Sequence, residues 1–286
     1  EYITREGLQA YENPGWMNGH YVWYILPDGV EVKKVAFRET GYDTEFAGSF
    51  TCDDPFLNEL WKKAARTLYI TMRDTYFDCP DRERAQWWGD AVNELGEAFY
   101  ALSPSSHKLA AKGIRELVNW QRDNGVLYSP VPGVGTSELP LQMLASIGWY
   151  GFYTQYFYSG DSSFVAEVYE PVHRYLHQVW QVGEDGLPLL RKGDWNWGDW
   201  GEDIDMGVLT TCWYYLALKA EREFATMLGR KEDAEKDTRM MEKIEKAFDG
   251  AYWTGSVFRS KEYQGADDDR AQAMAVVSGL ASADKY

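Results

Sequence analysis

Positive charge is scarce in this chain of 286 residues: 29 Lys and Arg stand against 45 Asp and Glu, a net charge of −16 with His neutral. A field of that sign repels phosphate backbones and anionic lipid, so neither nucleic acid nor a membrane surface is expected as a partner. Long hydrophobic runs are missing as well. No uninterrupted apolar stretch approaches the ~18 residues that a membrane-spanning helix needs. The first residue is Glu1 and no signal peptide is readable, so a piece of a longer protein is expected. Cysteine is limited to Cys52, Cys79 and Cys212, an odd number without C-x-x-C spacing, which supports neither a disulfide framework nor a zinc site. Those residues leave the redox compartment open; a periplasmic or extracellular setting is favoured. Histidine is limited to His20, His107, His173 and His177. His173 and His177 stand four apart on a predicted helix, but no third ligand is evident, so no metal is expected. The sequence contains no Gly-x-Gly-x-x-Gly, P-loop or Gly-x-Ser-x-Gly, and no cofactor is expected.

Aromatic residues, by contrast, are abundant: 13 Trp, 20 Tyr and 12 Phe make up 16% of the chain. Exposed Trp and Tyr beside carboxylates suit sugars, whose C–H faces stack on rings while their hydroxyls bond to Asp and Glu. Rings inside helix interfaces need no such explanation, so only rings clustered in loops count toward it.

Residues 1–50 carry short alternating, β-branched and aromatic runs broken by Pro27-Asp28-Gly29 and Gly41, the pattern of a few strands and turns. From Asp53 the period becomes helical. Asp53 or Asp54 as N-cap with Pro55 at the first helical position opens the first of eight predicted helices. The others lie at about 88–102, 106–123, 138–159, 162–181, 207–228, 231–249 and 268–281. Short turns, LSPSS, SGDSS and GRKED, alternate with long connections at roughly 75–87, 124–137, 182–206 and 250–267. Antiparallel helices reverse direction at each turn, so every long connection must emerge at one end of the bundle. Long ordered loops on a rigid scaffold are where sites are built.

The first long loop reads Asp78-Cys79-Pro80-Asp81-Arg82-Glu83-Arg84-Ala85-Gln86-Trp87-Trp88-Gly89-Asp90. Its charge density beside paired Trp residues fits no amphipathic stripe. Glycoside hydrolysis needs one protonated carboxyl group for the leaving oxygen and another, across the sugar, to activate water. A Glu lying against Trp would have its pKa raised by desolvation, whereas Arg82 and Arg84 would hold neighbouring carboxylates ionised. The third long loop repeats an Asp-Trp unit, Asp194-Trp195 and Asp199-Trp200, followed by Glu202, Asp203 and Asp205. The run Asp267-Asp268-Asp269 most simply caps the last helix.

The motif DCPDRERAQWWGDA resembles the signature of the family 78 glycoside hydrolases, the α-L-rhamnosidases, and RETGYDTEFAGSFTCDDPFLNELWKKAARTL resembles their junction from a β-sandwich into the first barrel helix. The resemblance implies a mainly α fold: an incomplete (α/α)6 barrel, or six-hairpin toroid, over 51–286, preceded by the end of a β-sandwich domain and linker over 1–50. It implies an inverting hydrolase that removes terminal α-L-rhamnosyl groups without a cofactor. Glu83 falls at the family's general acid, with Asp81 its rival. Asp78 and Asp90 fall where members bind rhamnose hydroxyls. Arg82, Trp87 and one of the units Asp194-Trp195 and Asp199-Trp200 complete the expected sugar contacts; which unit is equivalent stays open. An acidic contact usual in the second loop is represented here only by Glu138.

The family's base lies far beyond the acid, in the last third of the barrel, so these 286 residues are expected to lack it, to be inactive alone and to self-associate through uncovered helix faces. Two alternatives stand: the same barrel with another specificity, trehalase-like or glucoamylase-like, and a carbohydrate-binding domain without catalysis.

Overall fold

Asp54 accepts the Phe56 N–H at 2.8 Å and Pro55 takes the first helical position, so the chain turns helical at the boundary that its capping residues specify. The computed structural model describes residues 1–286 and contains nine α-helices: α1 (Pro55–Ile70), α2 (Trp88–Ala101), α3 (His107–Asn119), α4 (Pro140–Ile147), α5 (Phe152–Ser159), α6 (Val165–Arg174), α7 (Met206–Met227), α8 (Lys231–Tyr252) and α9 (Asp269–Ser278). None is long and apolar enough to cross a membrane.

The helix predicted over 138–159 is two helices, α4 and α5. The chain doubles back at Gly148-Trp149-Tyr150-Gly151, where a Cβ on Gly151 would stand 1.8 Å from the Ser146 carbonyl oxygen. Apolar periodicity ran through the break because α4 and α5 bury faces in the same core. The helix predicted over 162–181 likewise changes character: Pro171 withholds one N–H from α6, and a π turn follows at Tyr175–Val179.

Helices α2, α4, α7 and α9 pack side by side in chain order, while α1, α3, α6 and α8 lie outside them. Burial follows from that placement. α7 is flanked on both hands and buries residues on nearly every side, whereas the outer α8 buries one stripe, Asp237, Met241, Ile244 and Phe248. The main core gathers Trp88, Leu95, Ile114, Leu144, Tyr169 and Leu218; a second cluster around Cys212, Phe248 and Ala275 seats α9. The result is an arc of four helical hairpins, with inner helices that all begin at the same end.

That end carries every long connection. Val131 N–H bonds to the Gln86 oxygen and Gln86 N–H to the Pro132 oxygen across loops one and two, Asp194 N–H reaches the Glu138 oxygen at 3.0 Å across loops two and three, and Ser260 N–H reaches Asp205 Oδ2 at 2.6 Å across loops three and four. Each loop is also pinched by an isolated β-bridge: Met72 with Tyr76, Ser129 with Ser137, Val182 with Pro188, and Trp253 with Phe258. At the opposite end the short turns meet, where Phe99 stacks on Tyr158 at 5.0 Å.

The strands expected within 1–50 do not form. The turn at Pro27-Asp28-Gly29 is present, closed by Val30 N–H to the Pro27 oxygen, but the runs on either side pair with nothing, and an unpaired strand has no ladder to hold it. The segment instead straps the toroid. Trp16 packs against Phe77 and beneath the guanidinium groups of Arg73, 4.0 Å away, and Arg84, 4.5 Å away, at the long-loop end. Gly48 N–H bonds to the Ala101 oxygen at the other end.

Candidate active site

The first long loop closes on itself before it reaches α2. Asp78 N–H bonds to the Ala85 oxygen and Ala85 N–H returns to Asp78 Oδ1, both at 3.1 Å. Gln86, buried beneath, accepts the Tyr76 N–H and donates to the Val131 oxygen at 2.7 Å. Arg84 turns the loop with φ +51° while its Nε holds the Pro80 oxygen at 3.0 Å. Residues 81–83 are thereby left exposed in the first long loop.

The Glu83 carboxylate receives two donors: the Trp87 indole N–H at 2.5 Å and the Arg82 guanidinium. Trp87 therefore presents its polar edge to Glu83, and the apolar contact anticipated from their adjacency is not made. Arg82, largely exposed, spends its charge on Glu83. The rival Asp81 is 84% exposed and stands 3.6 Å from the Arg84 guanidinium.

Asp90, on the first turn of α2, has its carboxyl pushed up to about 6: burial acts first, then the charge of Asp78, with its own backbone N–H opposing and Asp199 and Glu83 adding. Those influences place Asp78, Glu83, Asp90 and Asp199 around one space. Asp90 keeps a solvent-facing surface, which screens part of the rise. Like charges sharing a site oppose one another's ionisation, and burial adds to that at Asp90.

One turn deeper on the same helix face, Glu94 was not anticipated. Its carboxyl is pushed up to about 8 by burial, opposed by the Thr71 hydroxyl and helped by Asp90, Glu97 and Asp78, and its Oε2 is buried without a hydrogen bond. The spacing Asp90, Glu94, Glu97 on a helix that also buries Leu95 and Ala98 was the available signal. The folded state thus holds a proton that the unfolded chain releases above about 4.5, so stability falls as pH rises from about 4.5 to 8. Glu94→Gln is expected to flatten that decline and to raise the Tm at pH 8 by several degrees; calorimetry across pH checks it, and parallel curves for both proteins would refute it.

The third loop separates its two Asp-Trp units. Asp194 Oδ2 accepts the Glu138 N–H at 2.7 Å, tying loop three to loop two, and Glu138 is itself buried against Arg191. Asp199, at φ +77°, faces the Asp90 side. Trp195, Trp197 and Trp200 form one cluster, with Trp197 4.4 Å from Trp195 and 4.8 Å from Trp200; Trp200 is 78% exposed. Arg270 at the start of α9 clasps the end of this loop by donating to the Glu202 oxygen at 3.1 Å, while Asp268 caps α9 as anticipated.

The expectation that His173 and His177 lack a third partner is overturned. Glu221 and Asp237 stand against them in the interior, brought there by α7 and α8.

Nested rings of helical hairpins with a carboxylate cleft at the mouth of the inner ring define the six-hairpin class. The sequence model of the bacterial alpha-L-rhamnosidase 6 hairpin glycosidase domain matches residues 45–286, and the chain belongs to that family. It is 25% identical over 267 residues to an alpha-L-rhamnosidase of Formosa agariphila, covering 88% of this chain and 26% of the relative. The fold is shared with a GH78 rhamnosidase of Bacillus sp. GL1 (TM-score 0.74, 21% identity, 86% of this chain and 26% of that one). It is also shared with a rhamnosidase from Klebsiella oxytoca with rhamnose bound (TM-score 0.72, 16% identity, 84% of this chain and 47% of that one). The chain spans about a quarter of the length of the curated relatives it matches.

Proposed function

We propose that this chain forms the greater part of the sugar-cleaving cleft of an inverting α-L-rhamnosidase. The observation that carries this reading is the gathering of Asp78, Glu83, Asp90 and Asp199 at one mouth beside the exposed Trp195 and Trp200 rings. Glu83 is the general acid. Trp87 orients it through the indole N–H, and Arg82 leaves it as the glycosidic oxygen arrives. Asp78, Asp90 and Asp199 accept sugar hydroxyls, and Trp200 offers a ring face to the C–H side of the sugar. Inversion needs a base about 6.5–9.5 Å from the acid with room for a water between; that base belongs to hairpins five and six of the toroid, outside residues 1–286.

A second reading follows from Asp90, whose carboxyl is pushed up to about 6, chiefly by burial. In it Asp90 is the acid and Glu83 positions the sugar.

The division of the Asp-Trp loop tests the sugar reading. Asn tolerates positive φ, so Asp199→Asn in the complete enzyme is expected to weaken rhamnose binding about tenfold, the equivalent of ~1.4 kcal/mol, while the Tm stays within a few degrees. Asp194→Ala is expected to lower the Tm and leave affinity nearly unchanged. Isothermal titration with rhamnose and thermal melts read both; normal binding by Asp199→Asn would remove this loop from the sugar site.

A further inference from the structure

Outside the cleft, four ionisable side chains meet in the interior between three helices. His173 lies on α6, His177 in the π turn that continues it, Glu221 on α7 and Asp237 on α8. His173 Nδ1 is 2.6 Å from Glu221 Oε1, and His177 Nε2 is 3.0 Å from both Glu221 Oε2 and Asp237 Oδ1. The Glu221 and Asp237 side chains have no exposed surface, and that of His177 is 3% exposed.

Hydrogen bonding leaves this cluster short of donors. His177 Nε2 carries at most one proton and directs it at Glu221, so neither oxygen of Asp237 receives a hydrogen bond, and His177 Nδ1 has no partner either. Protonating both imidazoles would balance the two carboxylates, but His177 would still have a single Nε2–H to share between Glu221 and Asp237. A divalent cation bound by Nε2 supplies the partner that Asp237 lacks and leaves the one proton of His177 on Nδ1. Two carboxylates and two neutral imidazoles around a doubly charged ion sum to zero, and each ligand atom then offers a lone pair.

The geometry suits such an ion. The ligand atoms of His173, His177 and Glu221 all lie within 4.8 Å of one another, and a tetrahedron with metal bonds of ~2.0–2.1 Å has edges of about 3.3 Å. Histidines four apart present both rings to one side of a helix, and here the rings are 4.4 Å apart. π turns are frequent at functional sites, and this one carries His177.

We propose that His173 Nδ1, His177 Nε2, Glu221 and Asp237 bind one divalent cation of the zinc class, a structural site that clamps α6, α7 and α8 together. Three of the ligands stand within coordinating reach of one another, and Asp237, 3.0 Å from His177 Nε2, takes the fourth position by a side-chain shift, so the site holds helices and does no chemistry.

The test begins with the unaltered protein. After exhaustive chelation, titration with ZnCl2 is expected to show one high-affinity site and to raise the Tm by several degrees, and Co2+ in its place should give the intense visible absorption of tetrahedral coordination. In the chelated state His173→Gln, at the partly exposed member of the set, should melt near the unaltered protein. It should have lost about 100-fold or more in Zn2+ affinity along with the zinc-dependent rise in Tm. Should Zn2+ fail to bind the stripped protein, or bind His173→Gln equally well, the cluster is an ion-pair network only and the proposal is overturned. A His173→Gln protein that loses the same Tm with and without zinc has the same meaning.

Discussion

Glu83→Gln is expected to cut the rate of the complete enzyme about 10³-fold on rhamnosides with poor leaving groups, since general acid catalysis contributes roughly 10²–10⁴. On aryl rhamnosides that depart without a proton the loss should be far smaller. The amide keeps the size of Glu83 and can still meet the Trp87 N–H, so binding and loop shape are preserved while the proton is removed. Paired kcat measurements on an alkyl and a nitrophenyl rhamnoside decide the matter. Equal loss on both would reduce Glu83 to orientation, and leaving-group dependence in Asp90→Asn instead would establish the second reading.

The largest loss of stability is expected from Asp205→Ala. Buried at the start of α7, Asp205 accepts the N–H groups of Gly207 at 3.2 Å, Val208 at 3.3 Å and Ser260 at 2.6 Å, as well as the Ser260 hydroxyl, while its own N–H donates to Asp268 Oδ2 at 2.9 Å. One carboxylate thus caps an inner helix and joins loops three and four to α9. Its removal strands several buried donors at ~1–3 kcal/mol each, so a loss of about 3–5 kcal/mol is expected in chemical denaturation. Asp205→Asn, which can still accept, should recover part of it. An unchanged midpoint for Asp205→Ala would mean that water replaces the carboxylate.

The alternation of short and long connections was legible because it depends on local signals, caps and turn residues, that tertiary packing seldom overrides. It puts the loops that carry Asp78, Glu83 and both Asp-Trp units, and the start of α2 with Asp90, at one end of the bundle. What failed depends on partners distant in sequence. The runs of 1–50 have strand composition but nothing to pair with. The break at Gly148–Gly151 interrupts no apolar period. The ligand set around His177 needed two further helices, although Asp237 betrays itself by occupying a position of the Met241, Ile244, Phe248 stripe, where an apolar residue belongs. The roles of Asp194 and Asp199 were indistinguishable by composition, since only the backbone of Glu138 tells them apart.

The neighbour-to-neighbour order of α2, α4, α7 and α9 has a kinetic consequence. Each hairpin is stabilised chiefly by the one beside it, so order spreads along the arc as in a repeat protein. Asp90 lies on the first turn of α2 and Asp199 in the third long connection, which leads into α7, with α4 between the two helices. The carboxyl cluster therefore assembles only after the intervening hairpin has docked, late in folding, and any local opening of α4 and α5 dissolves it while both flanking hairpins stay formed. Amide exchange in α4 should accordingly report the fraction of molecules whose cleft is intact.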